Sequence, residues 1–202
     1  MAETQRLVAD STLALEREGQ ASETSRPAEP GRRQAALAAG VQDITNTLVG
    51  EHTLNDVLRI ILETMYRAIG FERVLLFTLD ARQQALRCRF GFGADAEAIA
   101  HKGVSVPLDG ARDLFYAAAV MGADLCIQDV ESDKVRPHVP AWYRTSIGAR
   151  GMVLLPIVDR KRTVGLIYAD SNSPATLHFS GEELGLLKTL RNQAVLAMRQ
   201  YS

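Results

Sequence analysis

Gly91-Phe92-Gly93-Ala94-Asp95-Ala96 is a stretch of this sequence whose spacing could do chemistry. It fits G-x-G-x-x-A, in which glycines let a backbone approach a pyrophosphate at the opening of a helix. The segment before it, 85–90, reads as the returning arm of a hairpin rather than the start of a βαβ unit. Gly103 also cuts short any helix that follows, so the expectation is a glycine turn leaving a strand. Cys88 and Cys126 could form a redox pair, but each sits in a predicted strand, and buried structural thiols are expected. His52, His101, His138 and His178 are scattered without i,i+4 pairing or a neighbouring cysteine, so no metal ligands are expected. Ser171 and Ser173 lie in Asp170-Ser171-Asn172-Ser173-Pro174, the residue types that turns prefer. There is no G-x-S-x-G elbow, so no catalytic residue is expected.

Composition narrows the class. The 202 residues carry a net charge of −1, which argues against a nucleic-acid partner and gives no pull toward an anionic membrane surface. No apolar run has the length of a membrane span, and no secretory signal opens the chain, so a cytoplasmic protein is expected. Apolar content of 47% and charged content of 23% are those of an ordinary globular protein.

The elements that would position any site follow from periodicity. Residues 1–36 carry no aromatic residue, and 22–31 have linker composition. They read as a flexible tail or interdomain linker, with a short helix expected at 7–18. Residues 37–202 read as one domain. Leu54, Val57, Leu58, Ile61, Leu62, Met65 and Ile69 recur at helical spacing between a Thr53 N-cap, with Asp56 in capping-box position, and a Gly70 C-cap. Strands are expected at 71–79 and 85–90, stopped by Gly91 and Gly93, and shorter ones at 104–108 and 124–128. A helix is expected at 112–121, a loop at 129–140 and one helical turn at 141–144. A hairpin at 152–158 and 163–169 turns at 159–162. Ser180 and Glu183 then form a capping box opening the last helix. This order predicts an α+β fold with a mostly antiparallel sheet.

Leu154-Leu155-Pro156-Ile157, Val164 to Asp170, Phe179-Ser180, Glu183-Leu184 and Leu187 to Ala194 resemble the closing motif of the GAF family. The likeness extends upstream through 54–70, Phe71-Glu72-Arg73-Val74 and Ala141-Trp142-Tyr143, and spans roughly residues 41–199. The segments ILETMYRAIGFERVLLF, DLCIQDV, PAWYR and LLKTLRNQAVLA look like GAF domains attached to HDOD domains in bacterial signalling proteins. The resemblance implies a GAF/PAS-like central sheet of five to six mostly antiparallel strands. Terminal helices would cover one face, loops and short helices the other.

It also implies a role. Such a domain is a non-catalytic regulatory module of a bacterial signal-transduction protein, sensing a small molecule, for example a cyclic nucleotide or metabolite. The ligand would lie between the sheet and the irregular middle segment, near Phe90, Ile127, Asp129, Trp142, Tyr143, Arg144 and Tyr168. Aromatic rings could stack a flat ligand and Arg144 could pair a phosphate or carboxylate. No particular cofactor is implied. The terminal helices would form a homodimer and relay a signal to an output domain in the same or a partner chain. A ligand-free dimerisation or scaffold domain is the alternative. One family branch reduces free methionine sulfoxide with clustered loop cysteines, a pattern this chain departs from.

Overall fold

A computed structural model describes residues 30–108 and 112–200. The expected helix at 7–18 and the first 29 residues of the expected tail or linker lie outside the described residues. Helix α1 (Pro30–Val49) is followed by α2 (Leu54–Ile69), β1 (Arg73–Asp80), β2 (Ala85–Gly93), α3 (Ala96–His101) and β3 (Ser105–Pro107). Then come α4 (Leu114–Met121), β4 (Leu125–Ile127), α5 (Ala141–Ser146), β5 (Gly151–Asp159), β6 (Arg162–Ser171) and α6 (Gly181–Gln200). One six-stranded sheet has the order β3-β2-β1-β6-β5-β4, with every neighbouring pair antiparallel. This is the α+β architecture expected from the sequence.

Local chemistry sets the ends of the helices. The Thr53 backbone N–H donates to Asp56 Oδ2 at 3.0 Å, and the Asp56 N–H donates to Thr53 Oγ1 at 3.2 Å. Gly70 closes α2 in the left-handed conformation at φ 79°. In α6, the Ser180 N–H donates to Glu183 Oε2 at 2.7 Å and the Glu183 N–H to Ser180 Oγ at 3.2 Å. Each box satisfies helix-end donors that would otherwise be orphaned.

The sheet separates two apolar layers, because alternate strand residues face opposite ways. Val74 and Leu76 of β1, Val153, Leu155 and Ile157 of β5 and Ile167 of β6 pack with α1, α2 and α6. Leu75, Phe77, Leu154, Leu166 and Tyr168 face the other side, where α3, α4, α5 and the intervening loops cover them. Helix α1 is pinned at two places. Arg33 donates to the carbonyls of Ile69 and Thr176, each at 2.8 Å. Gln193 of α6 donates from Nε2 to Val41 O at 3.2 Å and Thr45 Oγ1 at 3.1 Å.

Two expectations fail in β2 and β6. Strand β2 does not stop at Gly91 but continues to Gly93, still paired with β1. A Cβ on Gly91 would lie 2.4 Å from the Val74 carbonyl oxygen, and one on Gly93, at φ 98°, only 2.0 Å from that of Glu72. The glycines allow close backbone approach inside the ladder. The G-x-G-x-x-A match is therefore strand, and the helix after it is the six-residue α3. The expected turn at 170–174 starts later: Asp170 and Ser171 belong to β6 and are buried.

Candidate functional site

A buried polar constellation lies on the sheet face away from α1, α2 and α6. Arg73 opens β1 and Asp170 stands opposite it on β6. Arg73 Nε donates to Asp170 Oδ2 at 2.7 Å, with both side chains almost wholly buried. Tyr168, two residues earlier on the same face of β6, donates its hydroxyl to the same Asp170 oxygen at 2.6 Å. The Tyr143 hydroxyl, on α5, sits 3.2 Å from that of Tyr168 and 3.1 Å from the Ala149 carbonyl oxygen. Arg73 also reaches the Ile147 carbonyl at 3.4 Å. The relay ties the sheet to residues 147–149, the short link from α5 into β5.

Counting protons exposes a conflict in this relay. A phenol has one proton to donate. Tyr168 spends its own on Asp170, so the single Tyr143 proton is shared between Tyr168 and Ala149. Asp170 Oδ1, fully buried, has no hydrogen-bond partner among the described residues. Burial pushes the Asp170 carboxyl above its usual range, outweighing the opposing pull of Tyr168 and Arg73. Burial works to lower Arg73, but the Asp170 carboxylate outweighs it and the guanidinium is held more firmly protonated than usual. The Tyr143 phenol is pushed up to about 12, mainly by burial. Tyr168 is pushed well above its ordinary value by burial and then by Asp170.

Rings close over this relay. Phe115 of α4 packs its ring 4.7 Å from Trp142, 5.7 Å from Tyr143 and 6.3 Å from Tyr168. Trp142 is half-buried, at the outer side of the group. The arrangement can accept one more hydrogen bond at Asp170 Oδ1 and, with the rings parted, stack a flat group.

The residues expected at a ligand site divide. Tyr143, Trp142, Tyr168 and Ile127 share the layer described above. Phe90 does not. It packs on the helix side, with the Arg59 guanidinium 5.1 Å over its ring. The cause is a bulge. Leu76 pairs with Phe90 and Phe77 with Cys88, so Arg89 is an extra residue that reverses the face of everything after it. Arg144 and Asp129 stand outside the layer. Arg144 is exposed, 3.0 Å from Glu131 Oε1, and donates to the Arg136 carbonyl at 3.2 Å. Asp129 accepts from the Glu131 N–H at 3.0 Å and lies 3.5 Å from Arg150. Both brace the middle segment. Sequence reasoning missed Arg73, Phe115 and Asp170, the last because it was assigned to a turn.

The cysteines lie apart. Cys88 on β2 and Cys126 on β4 are separated by β1, β6 and β5. At ~4.8 Å per strand spacing the gap is roughly 19 Å, far beyond the ~7 Å Cα limit for a disulfide. They also face opposite layers. Burial pushes the Cys88 thiol up to about 12, leaving it a poor nucleophile. Among the described residues, no group of three or more His, Cys, Asp or Glu side chains could hold a metal ion. No described helix is long and apolar enough to cross a membrane.

Comparison with known proteins gives a consistent result. The family model described as GAF domain matches residues 53–198. No curated protein matches in sequence. Among solved structures, the GAF domain from Acinetobacter phosphoenolpyruvate-protein phosphotransferase is similar with a TM-score of 0.65 at 18% identity, covering 85% of this chain and 95% of that one. The free methionine-R-sulfoxide reductase from Neisseria meningitidis, solved with its substrate, gives a TM-score of 0.63 at 19% identity, covering 88% and 99%. The GAF domain/HD domain protein from Geobacter sulfurreducens gives 0.61 at 14% identity, covering 75% and 95%. At these identities the likeness is one of fold.

Proposed function

The chain belongs to the GAF-domain family, and from that premise we propose that it is a non-catalytic regulatory domain of a bacterial signalling protein. It senses a small molecule held between the sheet and the segment over it. The observation that carries this reading is the bare, buried Asp170 Oδ1 beneath a ring-covered segment whose own tie, the Tyr143 hydroxyl, is shared between two acceptors. A buried carboxylate oxygen without a donor is costly, and a ligand N–H or O–H would remove that cost. Entry would part Trp142 and Tyr143 from Phe115, release residues 147–149 and shift the balance between two states of the segment. Strands β1, β5 and β6 carry the same residues' neighbours into the α1, α2 and α6 layer, which provides the path to an output domain of HDOD or other type.

The ring packing favours a second reading, a ligand-free dimerisation or scaffold domain, because Phe115, Trp142, Tyr143 and Tyr168 already pack against one another. Homodimerisation through the terminal helices fits both readings, and Val49 and Leu196 are large apolar side chains left exposed on α1 and α6. A methionine sulfoxide reductase reading has less support, since the two cysteines sit on distant strands and one is an inert thiol.

A thermal-shift screen with cyclic nucleotides and common metabolites, repeated on Asp170→Asn, separates the first two. Sensing predicts stabilisation by at least one compound, reduced in the variant. Stabilisation by none, together with a tight dimer in sedimentation, supports the scaffold reading instead.

A further inference from the structure

The β5–β6 hairpin carries a second, separate feature. Its two-residue turn is Arg160-Lys161, closed by the pairing of Asp159 with Arg162. Both turn residues hold left-handed backbone, at φ 46° and 67°. Turns of this kind favour Asn-Gly, because side chains beyond Asn and Gly strain there. This chain instead places two long cations at the tip and a third, Arg162, directly after. All three are exposed, and none of their side chains has a hydrogen-bond or ion-pair partner among the described residues. Strain held at an exposed tip is a reason to look for a function there.

Beside the tip runs a groove of about 440 Å³ between the hairpin, the end of α4 and the Arg191–Val195 stretch of α6. Val120, Met121, Val158 and Val195 form an apolar strip in it, while Lys161, Thr163, Arg191 and Asn192 make the larger part of its exposed lining polar. Val120 and Met121 are 46% and 42% exposed, among the few large apolar side chains left so. Arg191 also borders the groove, but its charge is met by Asp124 at 3.0 Å and its donors by the Pro156 carbonyl at 2.9 Å. The uncompensated charge is therefore that of the hairpin tip. Arg162 lies eight residues along β6 from Asp170, roughly 26 Å at ~3.3 Å per residue, so this groove is not part of the site described above.

We propose that this groove docks an acidic peptide segment of a partner protein, one that also carries an aliphatic side chain. The aliphatic group enters between Met121 and Val195, and Asp or Glu side chains pair with Arg160, Lys161 and Arg162. Charge complementarity selects this occupant, and the strip of Val120, Met121, Val158 and Val195 gives it more than a point charge to grip. No aromatic ring lines the groove to stack a base, and the chain's net charge of −1 supplies no wider basic field for a nucleic acid.

The test is fluorescence anisotropy of the full chain with a labelled synthetic peptide in which Glu and Leu recur at helical spacing. Control peptides carry Lys for Glu or Ser for Leu. The expected result is saturable binding that weakens with added salt and is weaker for both controls. The double variant Arg160→Asn/Lys161→Gly should lower affinity about tenfold or more, a difference of ~1.4 kcal/mol. It should also raise Tm, because it installs the favoured turn, so lost binding cannot be put down to unfolding. The variant Lys161→Gln, which keeps a long side chain in the turn, should weaken binding in the same direction. The proposal is overturned by no saturable binding, by equal binding of all three peptides, or by unchanged affinity in both variants. It is also overturned by tighter binding to anionic vesicles or duplex DNA than to the peptide. A wild-type dimer in sedimentation that the double variant dissociates would assign the groove to a second copy of this chain and overturn it as well.

Discussion

Tyr168 and Asp170 stand two residues apart on β6, project from the same face, and join through a 2.6 Å hydrogen bond from the phenol to the carboxylate inside the protein. The same Asp170 oxygen also receives Arg73 from the neighbouring strand. Two donors on one oxygen and none on the other make this carboxylate a tie between the two central strands that still has one buried oxygen unmet.

Removing the phenol tests the anchor. Tyr168→Phe deletes the donor to Asp170 and the contact with Tyr143, and should cost about 1–3 kcal/mol in urea denaturation. Tyr143→Phe combined with it should cost less than the sum of the two single changes, because both act on one hydrogen-bonded chain.

Arg73→Met leaves a buried carboxylate without its cation and should destabilise by about 3–5 kcal/mol. Pairing it with Asp170→Leu removes the orphaned charge and should recover much of that loss. Failure of the double variant to recover any stability would mean the two residues are not coupled as the 2.7 Å contact implies.

The Asp170 pKa gives a pH signature. Burial raises its folded value above the ordinary 3.8. The native state then holds a proton more tightly than the unfolded chain. The associated stability is present below 3.8 and is lost as pH rises through the folded value. Urea midpoints measured from below 3.8 to neutrality should show this fall. In Asp170→Asn that component of the slope should vanish, whatever the absolute stability. On the alkaline side, Tyr143 at about 12 against an ordinary 10.0 predicts a further loss between those values, of roughly 2–3 kcal/mol.

Much of the fold was legible because it is local. The apolar spacing of α2, the boxes at Thr53/Asp56 and Ser180/Glu183, and the hairpin at Asp159–Arg162 are each written within a few residues. The site was less so. Trp142, Tyr143, Tyr168 and Ile127 fell in the expected layer. Phe90 was lost because one inserted residue, Arg89, reverses strand parity, and nothing in the sequence marks a bulge there. Asp170 was lost because Asp-Ser-Asn-Ser-Pro reads as a turn. Its partner Arg73, 97 residues away, joins Tyr168 in making a buried strand position tolerable for it.

Glycine context makes a fourth prediction. A Cβ at Gly185 in α6 meets nothing within 4 Å. Gly185→Ala should therefore stabilise by about 0.5–1 kcal/mol, the usual gain of removing a mid-helix glycine. Gly91→Ala forces a Cβ to 2.4 Å from the Val74 carbonyl oxygen and should lower Tm instead.

Trp142 is the only tryptophan in the chain and packs 4.7 Å from Phe115 at the cover of the buried relay. Titrating the protein with cyclic nucleotides and metabolites while following Trp142 emission tests the sensing role directly. Sensing at this site predicts that at least one compound shifts the emission saturably, and that Asp170→Asn weakens this response. A panel in which no compound moves Trp142 emission, with the wild type and Asp170→Asn behaving alike, would contradict it.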